Sequence, residues 1–191
     1  MKKENPIPEL LSPAGSEEAL HAAVDSGADA VYLGGPQMQL RAGQVGFSME
    51  NLAQAIREAH SVNRRVYVTV NAFACNRDID ALPDYAQALE SLGTDAVIVS
   101  DLGAIAAIRK AAPHLPVHVS TQANCLNYAS ARVYADSFAG VSSFVKSLLH
   151  LRLFMFAAPP GAAAKSPKIA QKHFTFRRIF ATINTIHERN T

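Results

Sequence analysis

Six polar residues stand at or just past the ends of short apolar runs in this 191-residue chain: Ser12, Asn71, Asp101, Ser120, Gln122 and Asn124. A seventh, Arg41, lies in a long connection and supplies a cation for an anionic group. Asp101 and Ser120 are the candidate catalytic pair, because a carboxylate base beside a hydroxyl nucleophile is the chemistry of hydrolysis. His118 is an alternative base. It sits two positions from Ser120 on one expected strand, which aligns the two on a face without bringing the imidazole onto the hydroxyl. Asp101 also stands where a helix should start and suits an N-cap. Asn71 and Gln122 present donors and acceptors matched equally to a nucleobase edge and to a peptide amide. With Ser12, Arg41 and Asn124 they describe a substrate mouth. No metal site is expected, since Cys75 and Cys125 lack the close spacing of zinc or iron-sulfur ligands and read as reduced thiols.

Residues of this kind need a scaffold that gathers strand ends. Gly27-Ala28-Asp29-Ala30-Val31-Tyr32-Leu33-Gly34 and Gly93-Thr94-Asp95-Ala96-Val97-Ile98-Val99-Ser100 read almost alike, sixty-six residues apart. Each opens on a glycine able to close a helix in the left-handed conformation and runs into a short apolar strand. This is a helix-to-strand junction written twice, the sequence form of βαβ units around a parallel sheet. Strands are expected at 9–13, 30–34, 65–71, 96–101 and 116–122. Helices are expected at 16–26, from Ser48 onward, at 79–92, at 103–111 and from Asn127. Val66, Val68 and Val70 share one face of the third strand, opposite Tyr67, Thr69 and Asn71. Val117 and Val119 likewise oppose His118, Ser120 and Gln122. A sheet with helices on both sides would be apolar on both, so one polar face predicts a barrel lumen.

The composition, 49% hydrophobic and 18% charged, is that of an ordinary soluble globular domain. Met1 to Pro6 carries positive charge with no apolar run behind it, and no stretch reaches the length of a membrane span, so the cytoplasm is the expected location. The net charge of +2 conceals a break. Residues 1–135 hold 10 Lys and Arg against 14 Asp and Glu, while residues 136–191 hold 8 against 2 and seven of the nine phenylalanines. The expected organisation is therefore an α/β part over 1–135 and an atypical basic, Phe-rich tail over 136–191. The tail is read either as an appendage with its own role or as a truncated or frame-changed end.

Several segments then carry a resemblance: Pro8 to Ser16, Gly27 to Gly35, Val68-Thr69-Val70-Asn71, Ser100-Asp101-Leu102-Gly103, and Val119-Ser120-Thr121-Gln122-Ala123-Asn124. In order and spacing they resemble the N-terminal region of the bacterial collagenase-like peptidases, number thirty-two among peptidase families of unassigned catalytic type. The resemblance covers about residues 8–135. It implies a TIM-type barrel and a choice of activities, since such proteins include proteases named for collagen and proteins that hydroxylate a tRNA wobble uridine or a ribosomal RNA cytidine. It also implies what this chain lacks, namely a sixth strand ending in Arg-Glu-Leu-Ser and later cysteines that hold an iron-sulfur cluster in some relatives. No cofactor is therefore expected in this chain. A complete barrel takes about 250 residues. The expected fold is an incomplete (β/α) barrel of about five parallel strands with open edges that favour self-association, one of them within reach of a strand at 151–156. Its expected function is that of a family member with little intrinsic activity, or alternatively of a module binding RNA or peptide.

Overall fold

The computed structural model describes residues 9–39 and 46–138. Five βα units follow in order: β1 (Leu11–Pro13), α1 (Glu17–Asp25), β2 (Ala30–Gly34), α2 (Met49–Ser61), β3 (Arg65–Val70), α3 (Asn76–Ser91), β4 (Ala96–Val99), α4 (Leu102–Ala111), β5 (Val117–Val119) and α5 (Tyr128–Ser137). A single 3-10 turn, Thr121–Ala123, links β5 to α5. The strands pair only with their sequence neighbours and all are parallel, in the order β1-β2-β3-β4-β5. Right-handed crossovers in that order put every helix on one side of the sheet, the construction of a TIM-type barrel wall. Among the described residues the sheet does not close. The segment 151–156 and most of the expected tail lie outside the described residues, and α5 runs to Ser137, past the boundary expected at 135.

Local chemistry places the helix ends. Ser16, Ser48, Asp101 and Asn127 each accept a hydrogen bond through the side chain from the backbone N–H three residues on, as N-caps do. The third helix begins at Asn76, three residues before the expected start, because Cys75 and Asp78 form a capping box in which the Asp78 carboxylate accepts from the Cys75 N–H at 2.9 Å. Gly27 and Gly93 close α1 and α3 with φ of 89° and 78°. Asn63 does the same for α2 at φ 57°, a residue type that tolerates the left-handed region.

The repeated Gly-x-Asp then clips β2 to the start of β1 and β4 to the start of β3. The Asp29 carboxylate accepts from the Leu10 N–H at 2.6 Å while its own N–H donates to the Leu10 carbonyl at 2.9 Å. Asp95 repeats this on Val66, at 2.7 and 3.1 Å, and also meets His60 Nε2 at 2.8 Å.

The helix-facing side of the sheet carries Val31, Leu33, Val66, Val68, Val70, Val97, Val99, Val117 and Val119, packed with Leu20, Leu52, Ile56, Leu82, Leu89, Ile105 and Ile108 into one core. The opposite face was expected to be polar, and it is mixed. Ala30, Tyr67, Ala96 and Ile98 form a second apolar cluster there, flanked by Leu11 and Tyr32. Thr69 and His118 stand on the same face in register with Ile98. At the amino end Tyr67 Oη donates to Glu9 at 2.7 Å, and Glu9 also pairs with Arg65. His118 packs edge-on against the Tyr67 ring, with centroids 4.8 Å apart and planes at 77°. Burial, reinforced by the Arg65 charge, lowers the His118 pKa to about 4.

Two predictions come from these contacts. Replacing Asp29 or Asp95 by Ala leaves a strand-start N–H without its acceptor and costs about 1–3 kcal/mol each in urea unfolding. The two costs add within about 0.5 kcal/mol, because the clips share no residue. His118 stays neutral in the fold down to about pH 4, whereas an imidazole in the unfolded chain protonates near 6.5. The unfolded state therefore binds the extra proton between those values, and His118 withdraws on the order of 3 kcal/mol of stability as pH falls from 6.5 to 4. In His118→Gln the urea midpoint loses that part of its pH dependence, and parallel profiles for the two proteins would refute the assignment.

Candidate functional site

The carboxyl ends of β3, β4 and β5 carry most of the candidate residues. Val70, Val99 and Val119 are in register, so the next residues, Asn71, Ser100 and Ser120, continue one row with the parity of the inner face. Ser100 Oγ donates to the Asn71 carbonyl at 3.4 Å, and the Ser120 N–H donates to the Val99 carbonyl at 2.8 Å, which ties the three ends together. The connection after β2 folds over this row. Met38, at φ 56°, turns its carbonyl to accept from the N–H groups of both Asn71 and Ala72, at 2.8 and 3.0 Å. A left-handed methionine is uncommon, and such backbone persists where its surroundings hold it in place.

The sequence-derived residues separate into three groups. Asn71 is half-buried, and Gln122 and Asn124 are exposed, the last in the left-handed conformation at φ 54°. Asp101 and Ser120 act as caps. Asp101 Oδ1 accepts from the Ala104 N–H at 2.8 Å to start α4, and Ser120 Oγ accepts from the Gln122 N–H at 3.4 Å to start the 3-10 turn. Ser120 is 4% exposed and His118 packs on Tyr67. Ser12 falls on the other face: paired with Val31, it points with Leu10 and Ala14 into the helix-side core at 1% exposure, and its hydroxyl has no hydrogen-bond partner among the described residues. Strand parity places it there, because Leu11 and Pro13 are the inner-face residues of β1. Arg41 lies outside the described residues.

Three contributors were not singled out from the sequence. Ser100 has the parity of Asn71 and Ser120, which could have found it. Met38 had no such signal, since its role is set by backbone. Phe73, two residues past Asn71, is 93% exposed and presents an unburied ring at the same end. Gly35, a turn residue in the same connection, is also a packing residue: a methyl group there would collide with the hydroxyl of Tyr85, which reaches it from α3. Burial raises the Tyr85 pKa to about 12.

The two cysteines occupy separate places. Cys75 caps α3, and Cys125 packs against the core, where burial raises its pKa.

The model of Peptidase family U32 matches residues 15–145. A tRNA hydroxylation protein P of Helicobacter pylori is 42% identical over 130 residues, which is 67% of this chain and 31% of that protein. A tRNA hydroxylation protein P1 of Bacillus subtilis is 39% identical over 129 residues, 68% of this chain and 31% of that protein. A protein named collagenase from Porphyromonas gingivalis is 31% identical over 141 residues, 73% of this chain and 33% of that protein. The chain thus spans about a third of the length of these relatives. Among solved structures, that of the U32 peptidase Mk0906 superposes with a TM-score of 0.58 at 16% identity, over 73% of this chain and 59% of that one, and supports the fold alone. The matched segment runs from α1 through α5 and includes the row at the carboxyl ends of β3, β4 and β5, so the chain belongs to Peptidase family U32.

Proposed function

We propose that this chain binds single-stranded RNA of the tRNA class at the carboxyl end of its sheet, as the substrate-holding part of a U32-type hydroxylation protein acting in the cytoplasm. The observation that carries the reading is the exposed Phe73 ring beside Asn71. A nucleobase has a face to stack and an edge to pair, and an open phenyl ring next to a carboxamide offers both. Gln122 and Asn124 add further amides on the β5 side of the same end. The similarity to tRNA hydroxylation proteins favours a base over a peptide as the occupant.

Charge divides the labour. The acidic balance of residues 1–135 gives this wall little attraction for phosphates, so its contacts contribute base recognition. Arg41 and the eight cations of residues 136–191 supply groups for phosphate neutralisation. Because Asp101 and Ser120 are engaged as caps, peptide hydrolysis by that pair is not part of this reading.

Fluorescence anisotropy with an anticodon stem-loop, using the full chain, tests it. Phe73→Ala weakens binding roughly tenfold, and Asn71→Ala with Gln122→Ala together do the same, in line with about 1–3 kcal/mol per stacked base and about 0.5–1.5 kcal/mol per hydrogen bond. Both leave the slope of log affinity against log salt unchanged, since no phosphate contact is removed. Equal affinities in native and variant chains, or a collagen-like peptide bound in preference to the RNA, would overturn the proposal.

A further inference from the structure

We propose that Glu17 and His21 on α1, with Glu58 on α2, form a binding site for a zinc-type divalent cation on the outer, helix-bearing side of the wall. This inference is independent of the RNA reading. Among the described residues, these are the three metal-ligating side chains whose donor atoms come together, all within 4.8 Å of one another. Glu17 and His21 are four residues apart and lie on one face of α1, and Glu58 arrives from the neighbouring helix. His21 Nε2 stands 3.1 Å from Glu58 Oε2.

The geometry is close to what one ion requires. Ligands at about 2.1 Å around a tetrahedral zinc lie about 3.4 Å from each other. The His21–Glu58 pair already meets that separation, and a rotamer adjustment of the exposed Glu17 closes the third side. Gln54 Nε2 donates to Glu58 Oε1 at 2.8 Å, which orients the carboxylate and leaves Oε2 toward His21, the kind of outer hydrogen bond that metal ligands use. A shallow groove lined by Glu17, Phe47, Asn51, Gln54, Ala55 and Glu58 runs alongside. One neutral imidazole and two carboxylates balance a charge of +2. The imidazole favours zinc over magnesium or calcium, which prefer all-oxygen sites. Since its ligands come from two helices, the bound ion would hold α1 against α2.

The test uses the full chain with zinc chloride, competed against a chromogenic chelator, and a thermal unfolding series. One zinc equivalent binds to the native chain. Glu17→Gln and Glu58→Gln each weaken binding at least tenfold, and His21→Ala abolishes it, whereas the Cys75→Ser/Cys125→Ser double variant binds as the native chain does. At free zinc about a hundredfold above Kd, Tm rises by about 5–10 °C in the native chain and not in His21→Ala. The proposal is overturned by an absent zinc-dependent shift, by undiminished binding in His21→Ala, by loss of binding in the double cysteine variant, or by equal stabilisation with magnesium.

Discussion

Each strand of a parallel wall begins with a backbone donor that its own strand cannot satisfy, and the way this chain meets that requirement governs everything built on the wall. At Leu10 and at Val66 the N–H is met by the carboxylate of an aspartate that opens a later strand, and the carbonyl of the same residue is met by that aspartate's N–H. A two-point clip fixes register as well as spacing. Register in turn decides which residues face the helices, because a slip by one residue would exchange the two faces of a strand. The valine faces of β3, β4 and β5 and the polar row beyond them therefore depend on carboxylates at the far end of the sheet.

Much of the wall was legible in the sequence for local reasons. Ser16, Ser48, Asp101 and Asn127 announce helix starts by their own hydrogen bonds, and the glycines at 27 and 93 announce helix ends by their freedom at positive φ. Alternation along β3 and β5 separated their faces correctly. What escaped depended on partners distant in sequence. Asn63 closes α2 without glycine. Cys75 and Asp78 extend α3 backward through a reciprocal cap. In the candidate site, Asn71, Gln122 and Asn124 could be read from their place after strands. Ser12 could not, because Leu10 and Leu11 stand side by side before it and give that strand no apolar-polar alternation. Met38 acts through its carbonyl, which no side-chain pattern reports.

The inner face has a division that a simple contrast of apolar and polar sides does not capture. Ala30, Tyr67, Ala96 and Ile98 form an apolar cluster on it, with Thr69 and His118 in register with Ile98. At the amino end Glu9 joins Tyr67 and Arg65. At the carboxyl end stand Asn71, Ser100 and Ser120. His118 is half-buried, and its ring packs edge-on against Tyr67.

Every strand of this wall pairs with the one made just before it, and both aspartate clips reach back to residues already synthesised. A nascent chain leaving the ribosome can thus complete each βα unit with no need of sequence still to be translated. Pairing between near neighbours also keeps loop-closure entropy small, which favours rapid folding. Growth in one direction leaves an advancing strand edge at each stage of synthesis, so at every moment the growing tip is where the assembling protein is open to the wrong partner.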